Sequence, residues 1–298
     1  MLPSELTRLD VMVQHCYRVY MAEILIDLGG TNTKLGWISK DENFINDKTL
    51  IKTEAKLGPK KWVESVYQYT KRIEDSISHI WVASPGPIDL QRGVLIDTPN
   101  LQEFNGFELK EALEKRFGAE VKFENDANCA ALAEYYYGKY KGTSYLVALT
   151  LGTGLGSGVI NDGRLIVGSR GQAVEFGHTV VNPTMAQEFF FDGSLEKYIG
   201  SGSVGDIENL FNSPSDRATS WTKAVAIAVY NVVMIFNPSV VVLAGGAAAA
   251  WSKISKQIQR ELKNSLPRLF HEGLIVDATD LDEWSGLYGA LGLRKQCH

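Results

Sequence analysis

Twice in this chain a short apolar run meets a glycine-centred turn and doubles back. Ile24-Leu25-Ile26 leads into Asp27-Leu28-Gly29-Gly30-Thr31, and Lys34-Leu35-Gly36-Trp37-Ile38 returns; Tyr145 to Leu151 leads into Gly152-Thr153-Gly154-Leu155-Gly156, and Val159-Ile160 follows. Apolar runs of this length, bounded by glycines, read as strands. A glycine turn between strands can aim several backbone N–H groups at a phosphate, because glycine admits positive φ and close approach of a ligand. Either turn alone is as readily an ordinary hairpin. The pair predicts two related lobes facing one cleft.

The intervening pattern alternates strands with helices. Trp62, Val66, Tyr69 and Ile73 recur at helical spacing after Pro59, predicting a helix over 59–76. Ile80 to Ala83 reads as a buried strand stopped by Ser84-Pro85-Gly86-Pro87. Helices follow at about 107–117, 126–137, 217–236, 248–265 and 285–295, with strands at 121–123 and 240–243. This is an α/β chain. Residues 1–21 read as a non-native or disordered leader, with Met21 the expected native start.

Composition removes several classes of function. With 30 Lys plus Arg against 35 Asp plus Glu, the net charge of −5 offers no basic surface for a nucleic acid. Cys16, Cys129 and Cys297 form no CxxC pair, which argues against a disulfide framework and for a cytoplasmic chain. Ala224 to Phe236, the longest apolar candidate, is too short to span a bilayer, so no membrane partner is expected.

Several residues offer chemistry. Asp27 would stand beside phosphates, where a carboxylate is repelled unless Mg²⁺ bridges the two; its bland alternative is a turn-capping Asp. Asn125-Asp126 opens a helix. A carboxylate held ionised there can take a proton from an attacking alcohol, although helix capping is the commoner job for such a pair. Glu175-Phe176-Gly177-His178 and Glu196 supply acceptors suited to neutral hydroxyls. Gly245-Gly246, between a strand and a helix, gives a flat surface for an adenine ring or phosphate, or simply tight packing. No Walker P-loop string occurs, and Gly200 to Gly205, which matches G-x-G-x-x-G, lacks a preceding strand and is read as a loop.

In order and spacing, Asp27 to Lys34, Ser84 to Asp89, Asn100-Leu101, Glu124 to Asn128, Leu151 to Gly156, Glu175 to His178 and Gly245-Gly246 resemble the ROK (repressor, open reading frame, kinase) sugar kinases, over roughly residues 22–295. The resemblance implies a two-lobed actin/hexokinase-type (ribonuclease H-like) fold. Its N-terminal lobe would span 22–125, with a C-terminal helix at about 285–298 packing back on it, and its C-terminal lobe 126–284. It makes Asp126 the general base and places Asp27 at the Mg²⁺ site, through water. ATP would be held by Gly29, Gly30, Thr31, Asn32, Lys34, Gly152, Thr153 and Gly154, with Gly245 and Gly246 flanking the adenosine. Sugar would be held by Gly86, Asn100, Asn125, Asp126, Glu175, His178 and Glu196. A homodimer is also implied.

One departure stands out. Many family members follow the Glu-x-Gly-His motif with cysteines that bind a structural zinc; here the matching stretch, Gln187 to Ser194, has none, so no zinc is expected and Phe189-Phe190-Phe191 would anchor the loop instead. The repressor branch carries a helix-turn-helix much longer than the 20 residues before Met21. The expected activity is therefore ATP-dependent transfer to a hexose 6-hydroxyl, with glucose favoured. An N-acetylmannosamine or N-acetylglucosamine kinase is the alternative within the class, and a non-catalytic sugar sensor the alternative outside it.

Overall fold

The computed structural model describes residues 21–39, 44–73, 76–172, 174–184, 193–211 and 215–297. Strand β1 (Met21–Leu28) pairs antiparallel with β2 (Asn32–Ser39), which pairs antiparallel with β3 (Asp47–Lys52). On its other side β1 lies parallel to β4 (Ser76–Ser84), and β4 parallel to β7 (Glu120–Asn125), giving the order β3-β2-β1-β4-β7. A two-stranded hairpin, β5 (Ile88–Asp89) and β6 (Val94–Leu95), follows β4.

The second sheet repeats this plan. Strand β8 (Tyr145–Leu151) is antiparallel to β9 (Leu155–Asn161), which pairs with β10 (Arg164–Leu165), while β11 (Val240–Gly245) and β12 (Ile275–Ala278) continue in parallel on the far side. Its order is β10-β9-β8-β11-β12, so strands correspond one for one between the sheets. The duplication legible at two turns extends to the complete topology.

Two helices fill the space between the sheets. Helix α3 (Asp126–Tyr137) lies on β8 and β9, α7 (Ser285–Gln296) lies on β1, β2 and β4, and the two pack on each other. Gly289 and Gly292 let them approach: a Cβ at Gly289 would strike the Cys129 backbone, and one at Gly292 would press on Leu132. The core here joins Leu25 and Trp81 of the first sheet to Leu146, Ala148 and Val242 of the second, through Leu132, Leu287 and Leu291. Inside it, Glu23 accepts from Trp81 Nε1 at 2.6 Å and pairs with Arg294 Nε at 3.1 Å, tying α7 to β1.

Outer helices cover the remaining faces. Helices α1 (Pro59–Thr70) and α2 (Leu109–Phe117) bury Trp62, Val66, Leu109 and Leu113 against the first sheet. Beyond the short helix α4 (Leu195–Ile199), α5 (Asp216–Phe236) and α6 (Gly246–Ser265) bury Trp221, Val225, Val229, Ile254 and Ile258 against the second.

Some expectations are corrected. The helix predicted to 76 ends at Thr70, whose hydroxyl donates to Tyr67 O at 2.8 Å, and Ser76 already opens β4. The segment read as a loop from Gly200 contains a helical turn at Ser201–Val204, still with no strand before it. Helix α5 is long and apolar enough to cross a membrane, although half of its most apolar stretch is buried in the protein. The apolar stretch is the face that covers the second sheet. Met21 belongs to β1, while the rest of the proposed leader and residues 187–192 of the aromatic loop lie outside the described residues.

Candidate functional site

In both sheets the parallel strands end at one edge of the cleft, where loops gather in folds of this type. Asp27 sits one residue before the end of β1, directly opposite Lys34 on β2, whose Nζ lies 3.0 Å from its carboxylate. Against the other side of Asp27 stands the start of α7. A Cβ at Gly286 would overlap the Asp27 carboxylate. This contact involves a glycine that the sequence reading did not single out.

The first turn is held from behind by hydroxyls. Thr53 Oγ1 donates to Gly29 O at 2.6 Å and lies 2.9 Å from Thr33 Oγ1, which accepts from Trp62 Nε1 at 2.9 Å. Thr53 N also donates to Thr31 O at 3.0 Å, and Lys52 Nζ to Asn32 Oδ1 at 2.9 Å. In a trans peptide the carbonyl and the following N–H point in opposite directions. With the Gly29 carbonyl turned toward Thr53, the Gly30 N–H points away from it, as a phosphate cradle requires. A Cβ at Gly30 would come within 2.7 Å of Asn100 Cβ, so this glycine is what allows Asn100 to stand over the turn.

The second turn obeys the same rule. Ser201 N donates to Gly152 O at 2.9 Å and Gly202 N to Thr153 O at 3.0 Å, so the N–H groups of Thr153 and Gly154 face the opposite way. Glu196 supports this turn by accepting from Leu155 N at 2.8 Å, and a Cβ on Gly154 would overlap its carboxylate. The Glu196 side chain, read from sequence as a sugar ligand, thus lies against the second glycine turn. Gly245, at φ 75°, lies beside Leu151 at the end of β8, where a Cβ would reach within 2.6 Å of the Leu151 carbonyl; Gly246 then opens α6.

Between the turns, β7 delivers Asn125 and Asp126 to the start of α3. Asn125 Oδ1 accepts from Ala127 N at 2.9 Å and Asn128 N at 3.3 Å, a helix cap of about 1 kcal/mol. Asp126 Oδ1 shares the same donor, accepting from Ala127 N at 2.8 Å. Water reaches Asp126 through the open cleft, so it counts as exposed, yet protein crowds it from both sides. That crowding, then the negative charges of Asp27 and Glu175, push its pKa up to about 7 against the pull of the Ala127 N–H. Access to water moderates the first effect, whereas the neighbouring charges act in the same upward direction.

Gly86, after β4, meets the Asn125 carboxamide: a Cβ there would lie 2.9 Å from Nδ2. Gly86, Asn125 and Glu175 line one cavity together with Asn128, Ser157 and Gln172, three polar residues not singled out from sequence. Gln172 Nε2 crosses the cleft to donate to Ile88 O at 2.8 Å. Glu175 and His178 sit on a short 3₁₀ turn with Nε2 3.8 Å from Oε2, both about half exposed. Gly177 brings that turn against Leu155, the residue that Glu196 holds. Among the described residues no cluster of three His, Cys, Asp or Glu side chains is placed to hold a metal alone. Sequence spacing could not reveal Thr33, Thr53 or Trp62, since each acts across 20 residues or more.

The chain as a whole is similar to known proteins. The ROK family profile matches residues 23–200. A glucokinase from Thermotoga maritima is 29% identical over 306 aligned positions, covering 91% of this chain and 96% of the relative. A β-glucoside kinase from Listeria monocytogenes is 26% identical, covering 89% and 94%. Among solved structures, a ROK hexokinase from Thermus thermophilus superposes with a TM-score of 0.77 at 28% identity, covering 93% of this chain and all of the other.

Proposed function

Because this chain belongs to the ROK family, we propose that it is an ATP-dependent sugar kinase that phosphorylates the 6-hydroxyl of a hexose, with glucose the favoured acceptor. The observation that carries the reading is the placement of Asp126 between two glycine turns whose N–H groups face outward. An anion cradle on each side and a proton acceptor between them is the arrangement that phosphoryl transfer to an alcohol needs, since most of the catalysis is positioning and charge neutralisation.

In this reading the acceptor hydroxyl oxygen attacks the γ-phosphorus in line. The bond from phosphorus to the β–γ bridging oxygen breaks, its electron pair leaves with ADP, and the hydroxyl proton passes to Asp126 Oδ2. The Gly30, Thr153 and Gly154 amides hold the phosphates, Gly245 and Gly246 border the adenosine, and Asn100, Asn125, Glu175 and His178 orient the sugar. The site suits Mg²⁺: Asp27 offers oxygen ligation, and its charge together with Asp126 and Glu175 makes an acidic centre that a triphosphate enters best with a cation. Bound there through water, Mg²⁺ would neutralise phosphate charge.

The β-glucoside kinase relative favours a second reading, in which the acceptor is a hexose already bearing a substituent. Coupled ADP-release assays over free hexoses, N-acetylhexosamines and β-glucosides separate these. The proposal predicts the highest kcat/KM with glucose. Turnover confined to β-glucosides would replace glucose as the acceptor, and no turnover with any sugar would defeat the kinase reading.

A further inference from the structure

Asn128 lies three residues beyond the helix cap Asn125 and is only 2% exposed. Its Nδ2 donates to Glu124 Oε1 at 2.9 Å, and the same oxygen accepts from Asn125 N at 2.8 Å. Glu124 is itself 6% exposed, and burial raises its pKa against those two hydrogen bonds. Contact with a carboxylate oxygen sets the orientation of the Asn128 amide, because a flip would place oxygen against oxygen. Its carboxamide oxygen, Oδ1, is then left buried with no hydrogen-bond donor among the described residues.

A buried acceptor without a partner is costly, by about 1–3 kcal/mol, and calls for a donor. Asn128 lines the cavity shared by Gly86, Asn125, Ser157, Gln172 and Glu175. That cavity measures about 10 Å³, room for about one oxygen-bearing donor. Its walls come from both halves of the fold: Gly86 follows β4 and Asn125 ends β7 of the first sheet, Ser157 is on β9, and Glu175 caps the 3₁₀ turn beyond it.

We propose that Asn128 is a further specificity-determining residue, whose carboxamide oxygen accepts a hydrogen bond from one hydroxyl of the acceptor sugar reaching into this cavity. The proposal rests on the sugar-kinase reading. Glu124 is then a positioning residue: by holding the Asn128 amide it directs the oxygen, and by holding the Asn125 N–H it keeps sugar recognition and the start of α3 in register.

The test is a cycle between Asn128 and the hydroxyls of the sugar. Wild type, Asn128→Ala and Asn128→Ser are assayed with the preferred hexose and its single-deoxy analogues, with melting curves and the KM for ATP recorded for each. The expected result is a roughly tenfold loss of kcat/KM for the intact sugar in the variants, the KM for ATP being unchanged. One deoxy analogue should lose a similar factor in wild type and nothing further in the variants. Equal additional losses at every position in a folded variant would overturn the proposal and leave the cavity to water. If wild type phosphorylates no sugar, the kinase reading itself fails; if it does and the cycle is additive, only the assignment of Asn128 fails.

Discussion

Asp126 must be charged to accept a proton, yet its surroundings oppose that charge. Crowding in the cleft and the carboxylates of Asp27 and Glu175 hold its pKa at about 7, near the value at which a general base is most effective. As the base acts deprotonated, kcat/KM should fall about tenfold per pH unit below about 7, measured as a pH–rate profile; a flat profile from pH 5 to 8 would contradict the assignment. The same shift has a consequence for stability. A folded pKa raised above the ordinary aspartate range means that the native state binds more protons than the unfolded one between that range and about 7. The contribution is full below the ordinary range and is lost as pH rises through about 7. Asp126→Asn, which carries no charge, should therefore melt no lower than wild type at pH 8, as a thermal melt would show.

Elements act on the site mainly by bringing their ends to it. Helix α7 begins against Asp27, so Gly286→Ala should displace that carboxylate and lower kcat at least tenfold with a smaller change in melting temperature, as kinetics and calorimetry would show. The far end of the same helix is anchored by the Glu23–Arg294 pair, with Glu23 side chain 2% exposed. Removing one partner of a buried pair leaves the other uncompensated, so Arg294→Ala should cost about 3–5 kcal/mol in denaturant unfolding. Thr53→Val breaks the hydroxyl chain behind the first turn and should cost about 1–3 kcal/mol and raise the KM for ATP. The zinc expectation belongs to this scale as well. Without cysteines in 187–194, elemental analysis of purified protein should find no stoichiometric zinc, and one zinc per chain would contradict that expectation.

Across the whole molecule, the duplicated topology brings two turns to one cleft, and the sequence shows the duplication only where glycine marks it. At Gly29, Gly30 and Gly154 it is close approach of a neighbour rather than a positive φ that requires glycine, and Gly29-Gly30 and Gly152 to Gly154 are legible as glycine clusters between apolar runs. Edge strands β3 and β12 were not, since their residues are largely half exposed and lack a clear apolar run. The Asn125-Asp126 start and helix-forming run of α3, and the unbroken apolar run of β8, were enough to place both to the residue. Of the site, the residues that would touch ligands stood in local motifs, whereas several that hold them come from distant segments: Thr53 behind Gly29 and Gly286 beside Asp27. Glu196 illustrates the limit. Its carboxylate is as suited to a sugar as to an amide, and only the fold shows it on Leu155 N. The central claim is that Asp126 transfers a proton within a site whose binding surfaces stand without it. Measuring sugar binding by calorimetry and phosphoryl transfer by ADP release in Asp126→Asn tests this most directly: binding within a few-fold of wild type and turnover reduced about 10²–10⁴-fold are predicted, whereas turnover equal to wild type would contradict the account.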